Sequence, residues 1–247
     1  SPPTLWFKQW KAHEIHSRDW ISDVCSSVIA TTAVDYNGTP YTITPVVTGL
    51  SATNYSFTPA NGSLQINKVA LTVSSVTGVN KPYDGNNSAD LNITSPGLSG
   101  FVNGEGAGIS VSKASNASTF ASVNKADGIS ITVSGLTLTG TGSGNYSLTQ
   151  PTGLTANITA VALTVTADNQ NKPYDGSAFS PFTSTITGYV NSENISVVTG
   201  SPTYSGTATT AVDYGTYTIT PVVTPLSATN YSFTPANGSL QINKVAL

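Results

Sequence analysis

Two stretches of this chain are almost the same sequence. Residues 31–71 read TTAVDYNGTPYTITPVVTGLSATNYSFTPANGSLQINKVAL, and residues 209–247 repeat them. The second copy lacks counterparts of Asn37 and Pro40 and carries Pro225 for Gly49. A diverged copy lies between. VALTV opens at Val69 and at Val161, and VAL returns at Val245. KPYDG occupies Lys81–Gly85 and Lys172–Gly176, GFVNGE at Gly100–Glu105 answers GYVNSE at Gly188–Glu193, and NYS recurs at Asn54, Asn145 and Asn230. A chain duplicated in this way folds as copies of one small unit, so the period limits the architecture before any residue is assigned. The periods place the rear half of a truncated module at 29–68, complete modules at 69–160 and 161–244, and the opening of a further module at 245–247. Both ends are expected to be cut from a longer protein.

Within a module the apolar residues alternate. Val161–Ala167 is β-branched and of period two, which predicts a strand. Thr183–Gly188, Ile195–Thr199 and Gly215–Val223 read the same way, with Pro221 expected at an edge or bulge. Lys172–Gly176 reads as a turn, because Pro173 fixes φ, Asp175 can bond its own backbone and Gly176 can take a positive φ. Asn230–Pro235 and Ser239–Asn243 flank Ala-Asn-Gly, a hairpin pattern. Six or seven short strands in such a length, without a convincing helix, predict an all-β chain of tandem immunoglobulin-like β-sandwich modules, with a β-grasp-like module as the alternative. The links, INKVALTV at Ile66–Val73 and INKVAL from Ile242, contain neither Gly nor Pro. They are expected to continue one strand into the next and make the array stiff.

Residues 1–28 do not share this character. They hold all three tryptophans, both histidines, the only cysteine and the only arginine. Asp19–Ser27 reads DWISDVCSS and resembles the translation of a common sequencing-library adapter, DWSSDVCSS, differing only at Ile21. Lys8–Ile15, KQWKAHEI, shares letters with an upstream part of the same adapter. Residues 1–28 are therefore expected to be a non-native, adapter-derived segment, disordered or an ad hoc helix, with 8–27 carrying the resemblance; a genuine helix over WFKQWKAHEI is the alternative. Cys25, His13 and His16 would be the natural candidates for a nucleophile or metal site, and they lie in this segment.

Composition narrows the chemistry. Charged residues make up 9% of the chain and the net charge is −3, scattered singly. No basic patch invites nucleic acid, and no run approaches the roughly 20 apolar residues of a membrane span. Residues 29–247 contain no His, Cys or Arg, so general acid–base and anion-stabilising chemistry has few tools there. No cofactor, metal site or catalytic residue is expected. Asp84, Asp168, Asp175 and Glu193 are possible calcium ligands, but they are isolated in sequence and calcium prefers clustered carboxylates. Asn61-Gly-Ser and Asn237-Gly-Ser match glycosylation acceptors, a pattern that arises by composition in a chain so rich in Asn, Ser and Thr.

The motifs KPYDG, G(F/Y)VN, GLTLTGTGSGNYSLTQPTGLTANIT and NYSFTPANGSLQIN resemble the YDG/MBG-type repeats of large bacterial surface proteins. The resemblance covers 29–247. It implies a multi-repeat, adhesin-like protein, extracellular or at the cell surface, with no catalytic activity. The family's signature maps onto Tyr83, Asp84 and Gly85, and onto Tyr174, Asp175 and Gly176, preceded here by Pro82 and Pro173. Tyr83 and Tyr174 are expected to plug the core beside the turn and bond the backbone, with a ligand platform as the functional alternative. Tyr55, Tyr146 and Tyr231 of NYS are expected to act as corners that bond a nearby strand. The function expected is a structural stalk or spacer whose partners are its neighbouring modules. The alternatives are a module binding surface glycans or host and matrix proteins, and an accessory region of a secreted enzyme.

Overall fold

The computed structural model describes residues 34–115 and 118–246. The adapter-like segment, Cys25, His13 and His16 lie outside the described residues. The described chain divides into two compact units, one ending at Lys68 and one beginning at Val69. It is all-β, with only short 3-10 turns, and no described helix is long and apolar enough to cross a membrane.

The second unit holds both complete modules. In the module from Val161, two sheets form. One orders Ser184–Thr187, Val161–Ala167 and Tyr231–Ala236; the other orders Gln170–Pro173, Gly238–Asn243, Gly215–Val222 and Thr203–Ser205. The alternation expected of Val161–Ala167 turns Leu163, Val165 and Ala167 inward and leaves Ala162 and Thr166 outward. The preceding module does the same in Ala126–Val133, where Ile129, Ile131 and Val133 are buried and Ser130 and Thr132 are not. Period two is the geometry of the pleat, so each strand offers one apolar face to a core.

The first and last segments of both modules pair in parallel in two stretches. Val161 lies opposite Tyr231 and Thr166 opposite Ala236; Gln170 then faces Leu240 and Pro173 faces Asn243. The offset stays at 70 residues although the pair passes from one sheet to the other. In the preceding module Val69 faces Tyr146 and Pro82 faces Thr159, a constant offset of 77. Parallel first and last segments bring the chain in at one end of a module and out at the other. Only Ala160 separates the closing strand Leu154–Thr159 from the opening strand Val161–Ala167.

Two expectations are corrected. Tyr231–Ala236 and Gly238–Asn243 do not form a hairpin; they belong to different sheets and each pairs with the opening segment. Gly238 serves a close approach rather than a turn, since a Cβ there would lie 2.2 Å from the Ala167 carbonyl oxygen. Ile195–Thr199 is not a strand. Ile195–Val197 is a 3-10 turn, because Asn194 Oδ1 accepts the Ser196 N–H at 3.0 Å and Ile195 O accepts the Val198 N–H at 3.0 Å. Ile195 points to solvent, so its apolar spacing reflects no buried face. Pro221 is opposite Tyr204, beyond the last pair that its strand makes with the closing strand, so its missing N–H breaks no bond on that side.

Among its described residues, the unit ending at Lys68 contains one two-stranded pair, Tyr41–Ile43 with Gly62–Leu64, and none of them is buried. Tyr55 is 73% exposed there, whereas its counterpart Tyr231 is 6% exposed.

Candidate functional site

The KPYDG segments fold as self-contained clasps. Pro82 and Pro173 each end a short strand at a sheet edge, where a residue without N–H is tolerated. The next residue anchors the clasp: the Tyr83 N–H donates to Thr159 O at 2.9 Å and the Tyr174 N–H to Asn243 O at 2.8 Å. Asp84 Oδ1 accepts the Asn86 N–H at 3.1 Å, and Asp175 Oδ1 accepts the Ser177 N–H at 2.9 Å. Gly85 and Gly176 follow with φ of 79° and 74°, conformations that a side chain would strain. Lysine completes each clasp. Lys81 Nζ donates to Asp84 Oδ1 (2.7 Å) and to Asn86 O (2.8 Å); Lys172 Nζ donates to Asp175 Oδ1 (2.5 Å) and to Ser177 O (2.7 Å). The lysine's hydrogen bond holds the Asp175 carboxyl below its ordinary range. At Asp84 burial pushes upward, but Lys81 and the turn N–H outweigh it and the net shift is downward.

The two clasp tyrosines end in different places. Tyr83 is 5% exposed, and its phenol bonds no backbone group. It donates to Glu193 Oε1 at 2.7 Å, in the following module. Tyr174, expected to fill a core in the same way, is 48% exposed. The difference lies outside the clasp. Glu193 belongs to the GYVNSE loop, which packs on the first clasp: a Cβ on Gly85 would meet the Asn191 side chain at 2.3 Å.

The NYS tyrosines hold this loop. Tyr231 Oη donates to Glu193 Oε2 at 2.5 Å and accepts the Val190 N–H at 3.2 Å. Tyr146 Oη donates to Glu105 Oε2 at 2.5 Å and accepts the Val102 N–H at 3.4 Å. The tyrosine therefore bonds a loop carboxylate and loop backbone, not the strand that was expected. Asn230 reaches across the boundary as well: its Oδ1 accepts the Lys125 N–H at 2.9 Å and its Nδ2 donates to Asn124 Oδ1 at 3.1 Å.

Around this point the boundary between modules is a built interface. Glu193 accepts one phenol from each module. The Tyr231 ring meets Tyr83 edge-on at 5.7 Å and Tyr189 at 5.9 Å. The core of the first module, with Leu91, Phe120 and Ile158, forms one apolar cluster with Leu163 and Tyr231 of the second. The carboxylate bond and burial push the Tyr83 phenol up to about 12. Burial and the bond to Glu193 raise Tyr231, and the bond to Glu105 with burial raises Tyr146. Tyr189 Oη is buried without a hydrogen-bond partner; the other module has Phe101 at the matching place. Phenols from both modules around one carboxylate form a polar fastening.

The other candidate calcium ligands are engaged locally, Asp84 and Asp175 in the clasps and Asp168 by the Thr185 hydroxyl at 2.9 Å. Glu193 is the residue that motif reading left without a role. The one available cue was its recurrence with Glu105 in G-x-V-N-x-E.

Comparison with protein families agrees with the repeats. The YDG domain model matches residues 67–153, and the MBG domain (YGX type) model matches 163–241. No curated protein matches the chain significantly. The chain therefore carries a YDG domain and, directly after it, an MBG domain of the YGX type.

Proposed function

We propose that this chain is a non-catalytic structural repeat segment, a spacer within a secreted or cell-surface bacterial adhesin-like protein. A YDG and an MBG domain in tandem suggest a structural or binding module. The spacer reading rests on one observation above all. In both domains the opening and closing segments run parallel in constant register. Each domain thus carries the chain from one end to the other, and the next begins after a single residue. The fastening at Glu193 supports the same reading, because a flexible tether needs no desolvated contact at its joints. The neighbouring modules are the partners in this function.

Nitrogen-15 relaxation on the full chain tests it. Amides of 69–160 and 161–243 are expected to report one shared rotational diffusion tensor. Separate tumbling of the two domains would overturn the spacer reading. Saturable binding of the chain on an array of glycans and matrix proteins would favour a binding module instead.

A further inference from the structure

We propose that the Tyr174–Gly176 clasp is a docking surface for a following repeat module of the same chain, through that module's Gly-aromatic-Val-Asn-x-Glu loop. The fastening made at Tyr83 would then recur at each domain boundary. The assignment concerns which surfaces meet, and it holds whether the array spaces or binds.

The two clasps have the same internal bonds: tyrosine N–H to the closing strand, aspartate to the N–H two residues on, lysine to aspartate. Asn86 Oδ1 adds bonds from Lys81 Nζ and the Ser88 N–H in the first clasp, but the larger difference is in what covers the two. Tyr83 is 5% exposed and Tyr174 48%. A Cβ on Gly85 would strike Asn191, whereas one on Gly176 would meet nothing within 4 Å. The Tyr174 hydroxyl lacks the acceptor that Glu193 gives Tyr83. The surface thus offers a phenol donor, a bare glycine and the edge of an aromatic ring. Its complement is a carboxylate, a short amide side chain and a second ring, which the MBG domain presents as Glu193 and Asn191 of the loop and Tyr231 of the strand that holds it.

The complementary loop is preformed. In the YDG domain Asn103 has φ of 50° where Asn191 has 55°, and Tyr146 holds Glu105 as Tyr231 holds Glu193. Glu105 is exposed, so the loop keeps its form without a clasp tyrosine on its carboxylate. Lys244–Leu247 reads KVAL, as Lys68–Leu71 does at the opening of the YDG domain. A module continuing from there would repeat the geometry that follows Ala160.

The test uses the full chain and the same chain extended after Lys244 by a second copy of residues 161–244. Tyrosine nitration is followed by mass spectrometry. In the unextended chain Tyr174 is expected to react readily while Tyr83 is protected. In the extended chain Tyr174 reactivity is expected to fall roughly tenfold or more, the scale of one net hydrogen bond to a charged acceptor. Glu→Gln at the added copy of Glu193 should restore most of it. Unchanged Tyr174 reactivity beside a folded added copy would overturn the proposal. So would failure of the added copy to fold there, since 161–243 folds behind the YDG domain. Self-association of the unextended chain that Tyr174→Phe abolishes would replace the following module with a second copy, and would overturn it too.

Discussion

At the scale of single residues, the junction depends on a phenol kept neutral. The Glu193 carboxylate and burial raise Tyr83 from 10.0 to about 12. The folded chain therefore favours the protonated phenol more than the unfolded chain does. Because the folded value is the higher one, this stabilisation is complete below about pH 10 and disappears as pH climbs through about 12. Absorbance titration of the full chain is expected to include a phenol ionising near 12 that is lost in Tyr83→Phe. Glu193→Gln should move it back toward 10. If Glu193→Gln leaves that ionisation in place, the Tyr83–Glu193 bond is not its cause. Bonds to charged groups contribute about 1.5–3 kcal/mol. Tyr231 still bonds Glu193 when Tyr83 is removed, so Tyr83→Phe should fall at the low end.

At the scale of elements, parallel pairing of opening and closing segments sets the architecture. It requires the two backbones to come close where they change sheets. Gly238 sits at that crossing, with the Ala167 carbonyl oxygen where its Cβ would be, 2.2 Å away. Backbone cannot swing aside as a side chain can. Gly238→Ala is expected to cost roughly 2 kcal/mol or more, the upper range of overpacking, read as a lower urea midpoint for the MBG domain. An unchanged midpoint would show that the segments do not approach so closely. This crossing marks a limit of what the sequence reveals. The strand Val161–Ala167 is legible because alternation is local, and the clasp is legible because lysine, aspartate and glycine lie within a few residues of each other. The partner of a strand is not local. Ala-Asn-Gly therefore reads as a hairpin although its flanks pair elsewhere. Glu193 likewise reads as a lone acid, because the tyrosine that needs it lies 110 residues away in sequence.

At the scale of the whole molecule, one sequence appears with two outcomes. Residues 41–43 and 62–64 pair in the register of their counterparts 217–219 and 238–240: Tyr41 opposite Leu64, Tyr217 opposite Leu240. In the MBG domain Ile219, Leu240 and Ile242 are fully buried. Their counterparts Ile43, Leu64 and Ile66 are not. Complete burial of such side chains is worth about 2 kcal/mol each, about 6 kcal/mol for three. That is comparable to the whole stability of a small domain, about 5–15 kcal/mol. In the MBG domain the VALTV and KPYDG segments lie parallel to the closing strands, and no such parallel partner pairs with 62–64 among the described residues. Hydrogen exchange followed by mass spectrometry compares near-identical peptides within one molecule, so side-chain chemistry and intrinsic exchange rates largely cancel. Amides at 217–219 and 238–243 are expected to exchange only through opening of the MBG domain. Those at 41–43 and 62–67 are expected to exchange orders of magnitude faster, as a two-stranded pair without a core does. Equal protection would mean that the rear half folds without its opening strand. Faster exchange in the first copy alone would place the origin of the fold in that parallel partner, since the local sequence is the same in both.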